Sequence, residues 1–123
     1  MNTDRLDEFQ SIVEELYYGF DQRYFKYLNG GIVIEEGVCY HPASKDKDLL
    51  VLGAYKRDIV GNSIILYYGS FMEMYGYLTR EDLEERISDT LRHELTHHLE
   101  FLARENDLEI EDLEYIQRYK ERR

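Results

Sequence analysis

The sequence predicts an α+β fold in one domain spanning residues 1-123, and three observations predict it. An amphipathic helical stretch opens the chain. A middle section carries short β-rich runs separated by turn residues. A second amphipathic stretch, about six helical turns long, then follows. A chain of 123 residues suits one domain and is short for two. Hydrophobic residues make up 43%, with twelve Tyr and five Phe, which is enough apolar matter for one core and unlike a disordered chain.

The first helix is predicted from about Asp4 to Phe20, because Leu6, Phe9, Ile12, Val13, Leu16, Tyr17 and Phe20 recur at helical spacing. Thr3 suits its N-cap. A short second turn is expected around Tyr24 to Leu28, before the turn residues Asn29-Gly30-Gly31. Three strands follow: Ile32 to Ile34 with Val38 to Tyr40, Leu49 to Tyr55, and Ser63 to Tyr68. The stretch HPASKDKD reads as a polar loop, Gly61-Asn62 as a turn, and Gly69 to Gly76 as a loop, on account of its two glycines.

Thr79 with Asp82 resembles a capping box at the start of the long helix. Leu83, Ile87, Leu91, Leu95, Leu99 and Leu102 form its apolar stripe, and Asn106 is the candidate stop. A C-terminal helix is expected to turn Ile110, Leu113, Ile116 and Tyr119 inward.

Charge excludes several functions. The formal net charge is -11, and residues 71–117 alone hold 14 acids against 4 bases. Phosphate neutralisation needs a basic face, so nucleic acid is not expected as a partner. Nor is an anionic membrane surface. No run of eighteen apolar residues could span a bilayer. The start MNTDRLDEFQ is not a secretory signal, and Cys39 alone cannot form an internal disulfide, so a cytoplasmic protein, or a mature form that has lost its leader, is expected. Cys39 reads as a structural thiol.

The long helix reads His93-Glu94-Leu95-Thr96-His97, an H-E-x-x-H pattern. Two histidines four apart project from one side of a helix, one turn apart, and can hold one zinc ion (Zn2+) at about 2.0–2.1 Å. Glu94, next round the helix, can reach a water on that metal, whose pKa falls to about 7. On a helical wheel His93 and His97 fall roughly 120° from the centre of the leucine stripe, at the margin of the core, with Glu94 in between. His98 is expected to pack at the boundary of helix and core, and His41 to sit in a loop.

The order helix, small sheet, then a helix bearing HELTHHLE resembles the zincin metallopeptidases. It is most similar to the minimal zincin-like metallopeptidase family of small bacterial proteins. The likeness extends over the opening LDEF helix, GGIVIEEG, LGAY, SIILYYGSF and RISDTLRHELTHHLE. The resemblance implies a minimal zincin-like fold: an N-terminal helix, a three-stranded sheet, the active-site helix and a C-terminal helix. It implies that His93 and His97 are metal ligands and Glu94 is the catalytic base and acid. It also implies that the strand SIILYY borders the cleft, where an extended peptide could add as a strand.

The pattern H-E-x-x-H-x-x-G-x-x-D, frequent in that family, is not followed here, because its last two positions hold Glu100 and Ala103. An insertion of four residues would put the turn at Arg104 and the third ligand at Asp107. Asp107 is equally suited to cap the last helix. Glu100, a turn beyond His97, fits better as a partner to a histidine ring, and Glu111 or Glu114 is a further option. Tyr115 and Tyr119 are candidate oxyanion donors. The expected function is a zinc-dependent metallopeptidase acting on a peptide or protein substrate. The alternative is a zincin-fold metal-binding protein without efficient peptidase activity, acting as adaptor or sensor.

Overall fold

In a sheet with one covered face, alternate residues turn inward, and that alternation organises this molecule. The computed structural model describes residues 5–46, 49–59 and 61–104. Helix α1 (Leu6–Gly19) leads through a 3-10 turn (Gln22–Phe25) to strand β1 (Gly31–Glu35). Strands β2 (Gly53–Asp58) and β3 (Gly61–Tyr67), helix α2 (Tyr68–Tyr75) and helix α3 (Arg80–Arg104) follow. The expected α+β class with a three-stranded sheet is what the chain adopts. Thr3, Asn106 and the expected C-terminal helix lie outside the described residues.

The strand order is β1-β3-β2, with β1 parallel and β2 antiparallel to β3. Ile32, Ile34, Ile64 and Leu66 turn to the covered face, together with Gly53, Tyr55 and Arg57 of β2. Val33, Glu35, Ser63, Ile65, Lys56 and Asp58 turn to the other face. Expected and observed strand limits differ. The second strand runs four residues later than its apolar start suggested, because Leu49 to Leu52 approach as single contacts: Tyr40 bridges Leu50, and Val51 N–H donates to the Cys39 carbonyl at 2.8 Å. Val38 to Tyr40 are likewise not a strand.

The larger correction is at Gly69 to Gly76, expected as a loop: Gly69 to Tyr75 lie within α2 and Gly76 is its C-cap. Tyr68, Phe71 and Met72 bury one face of this helix, and Phe9 meets Tyr68 edge-on at 5.4 Å and Phe71 at 5.2 Å. Gly69 answers a packing need: a Cβ there would stand 2.6 Å from the Gly37 carbonyl carbon, where the loop after β1 crosses the start of the helix.

Helix α3 opens with the expected cap, Asp82 N–H donating to Thr79 Oγ1 at 3.3 Å. Its stripe of Leu83, Ile87, Leu91 and Leu95 is fully buried against the sheet and α1. Each such side chain contributes about 1.5–3 kcal/mol relative to exposure. That burial fixes the rotation of α3, and so decides where every other residue of the helix points.

Candidate functional site

With the leucines inward, His93 and His97 emerge on the exposed side of α3. Their Nε2 atoms face each other at 3.2 Å, with ring centroids 4.7 Å apart and planes nearly perpendicular at 86°. Two nitrogens bound tetrahedrally at 2.0–2.1 Å would stand about 3.3–3.4 Å apart, so the pair is spaced as a zinc site requires. Glu94, one position round the helix, is 7% exposed. Burial pushes its carboxyl above the usual range, and the adjacent His97 opposes that shift.

Strand β2 forms the opposite wall. Among the described residues it is an edge strand. The N–H of Tyr67 donates to the Leu52 carbonyl at 2.9 Å. Antiparallel alternation from that bond directs Ala54, Lys56 and Asp58 toward β3 and leaves the N–H and C=O of Gly53, Tyr55 and Arg57 on the open edge. The expectation that SIILYY borders the cleft is therefore corrected, since that strand is β3, in the middle of the sheet. Gly53 lets β2 approach the helix: a Cβ there would stand 2.7 Å from Thr90 Cγ2 and 3.4 Å from Glu94 Cγ.

Two cavities meet at Glu94. One, about 290 Å³, has Leu50, Leu52, Gly53, Thr90 and His93 on its walls. The other, about 370 Å³, lies on the His97 side and is walled by Tyr55, Arg57, Glu100, Phe101 and Arg104. The histidine pair and the glutamate thus lie on a groove between strand edge and helix.

Behind the groove His98 is fully buried. Its Nε2 lies 2.8 Å from the Lys26 carbonyl, which can only accept, so Nε2 carries the proton. With the ring neutral, Nδ1 accepts, and the Tyr55 hydroxyl donates to it at 2.6 Å. Burial lowers the pKa of His98, opposed by the bond to Lys26, and so favours the neutral ring. Burial likewise raises the Tyr55 phenol to about 12, with Arg57 opposing.

Of the residues singled out from the sequence, His93, Glu94 and His97 come together. Glu100 lines the cavity beside His97 without completing a metal cluster, because among the described residues no group of three His, Cys, Asp or Glu side chains could hold an ion. Asp107, Glu111, Glu114, Tyr115 and Tyr119 lie outside the described residues. His41 is an exposed loop residue whose Nδ1 accepts from Ala43 N–H at 3.0 Å. Cys39 is half-buried, with its N–H donating to Ser70 Oγ at 2.9 Å. Tyr55 and Arg57 escaped the sequence reading, because only the strand order reveals that they flank the helix. Among the described residues no helix is long and apolar enough to cross a membrane.

Residues 49–118 match the family model described as zincin-like metallopeptidase. A solved structure of a conserved hypothetical protein from Thermo thermophilus is similar at 30% identity, with a TM-score of 0.70, over 80% of this chain and 96% of that one. No curated protein matches. The matched span takes in β2, the sheet centre and all of the histidine-bearing helix, and the chain belongs to the zincin-like metallopeptidase family.

Proposed function

We propose that this protein is a zinc-dependent metallopeptidase. The observation that carries the reading is the Nε2 to Nε2 spacing of 3.2 Å between His93 and His97, beside the buried Glu94 on a groove whose other wall is β2, the edge strand among the described residues. The two imidazoles would hold the ion, with a third ligand from the chain beyond Arg104, where Asp107 is our candidate. Zinc bound there would activate a water molecule and polarise a peptide carbonyl.

The chain's own residues do the remaining work. The outward N–H and C=O groups of Gly53, Tyr55 and Arg57 would pair with an extended peptide and hold it along β2. Glu94 would lie beside that backbone, since a Cβ at Gly53 would already be in van der Waals contact with its Cγ at 3.4 Å. Its carboxylate would take the proton of the attacking water and return it to the leaving amine nitrogen. Burial raises its basicity toward what that task needs. Tyr55, pinned to His98, holds the strand wall against the helix.

Glu94→Gln keeps the shape of the side chain and removes the base. Peptide hydrolysis by the zinc-loaded protein should fall by a factor of about 10² to 10⁴, with zinc content unchanged. Undiminished hydrolysis in that variant would disprove the assignment.

A further inference from the structure

The two ends of the groove differ in chemistry. At the His93 end the strand-side wall is Leu50 and Leu52, facing Asp89 and Thr90 on the helix. At the His97 end the wall carries two guanidiniums, Arg57 and Arg104. In a chain of net charge -11, with 26 acids against 15 bases, a pair of cations beside the candidate catalytic residues is unexpected. Arg5, Arg23 and Arg80 each pair with a carboxylate. Among the described residues no carboxylate forms an ion pair with Arg57 or Arg104. Arg57 is instead stacked over the Phe101 ring at 4.4 Å. Stacking of this kind holds the plane of a guanidinium while leaving its N–H edge available. Phe101 is one turn beyond His97, about 6 Å along the helix axis. That distance is about two residues of extended peptide.

We propose that the groove selects peptides carrying a carboxylate at its His97 end, held by Arg57 and Arg104, and an apolar residue at its His93 end, against Leu50 and Leu52. The proposal rests on the peptidase reading and names its substrate class. Glu94, the buried candidate base, and the partly exposed Glu100 line the same cavity, so the selection rests on the Arg57 guanidinium held over Phe101 and on Arg104 beside it rather than on an excess of positive charge. The planar fork of Arg57 suits a carboxylate bidentately, whereas a backbone amide or a neutral side chain uses only part of it. The carboxylate could be an Asp or Glu side chain or the terminus of the peptide.

Binding is measured by calorimetry at low salt to the zinc-loaded Glu94→Gln protein, which cannot consume the probe. The probes are acetyl-Ala-Leu-Ala-Glu-Ala-amide and its Gln and Lys counterparts, plus the Gln peptide with a free C-terminus. The Glu peptide, the free-terminus peptide or both should bind about fivefold or more tightly than the Gln amide, and the Lys peptide more weakly. Which of the two gains assigns the source of the carboxylate. The preference should shrink in high salt, vanish in Arg57→Gln/Arg104→Gln, persist in Arg57→Lys and turn toward the Lys peptide in Arg57→Glu. Replacing the probe's Leu by Ser should weaken binding. Equal binding of all the probes, no binding of any, or a preference that survives the double Gln variant overturns the proposal. Selective binding without cleavage by the wild-type protein would leave it standing and remove the peptidase reading.

Discussion

Gly53 is where the open edge of the sheet meets the histidine-bearing helix, so enlarging it tests how tightly the two walls of the groove are set. In Gly53→Ala the added methyl would lie 2.7 Å from Thr90 Cγ2, 3.2 Å from the Ile65 carbonyl oxygen and 3.4 Å from Glu94 Cγ. The first distance is a clash with a side chain anchored on a long helix, and the second is tight against backbone. Overpacking of this kind costs about 1–3 kcal/mol, and the reduced freedom of the unfolded chain returns about 0.4–1 kcal/mol. A net loss of about 1–2 kcal/mol remains, and with about 2.1 cal/mol/K of unfolding entropy per residue it lowers Tm by about 4–8 °C for 123 residues. Thr90→Ser deletes the clashing methyl. In the double variant most of the loss should be recovered, giving a coupling energy of about 1 kcal/mol. Urea unfolding of the four proteins measures the cycle. A neutral Gly53→Ala, or a Thr90→Ser change that rescues nothing, would refute the close approach of β2 to α3.

The Tyr55–His98 pair yields two more expectations. Tyr55→Phe removes the donor to His98 Nδ1, and the ring cannot switch tautomer because Nε2 must serve the Lys26 carbonyl; the unsatisfied nitrogen should cost about 1–3 kcal/mol in urea unfolding, and an unchanged midpoint would count against the bond. The folded pKa of Tyr55, about 12, lies above the unfolded value of 10. Its contribution to stability is therefore complete below pH 10 and is lost as pH rises from there toward 12. The urea midpoint should decline less steeply across that range in Tyr55→Phe than in the wild-type protein, and parallel declines would show that Tyr55 does not carry the effect.

What could be read from the sequence followed local periodicity, and what could not depended on layers. The stripe from Leu83 to Leu102 has a 3.6 period that only a helix satisfies, and it alone set the rotation that brings His93 and His97 outward. Helix α2 was hidden by Gly69 and Gly76, because a glycine demanded by a crossing backbone looks the same in sequence as one demanded by a loop. The strand order was hidden too, although a sign of it was present. The run Ile64-Ile65-Leu66 is continuously apolar, as suits a strand with a neighbour on each side, whereas Gly53 to Asp58 turns charged toward its end, as suits an edge. Placing SIILYY in the centre moves the cleft to β2 and brings in Tyr55 and Arg57, which carry no motif of their own.

If two imidazoles one helical turn apart share a single cation, X-ray absorption at the zinc edge of the protein loaded with one equivalent will register both rings. About one tightly held zinc is expected, with nitrogen and oxygen neighbours near 2.0–2.1 Å and the scattering of two histidine rings, reduced to one ring or to no bound zinc in His93→Ala and in His97→Ala. Zinc that stays in both variants with an unaltered spectrum would contradict the shared site.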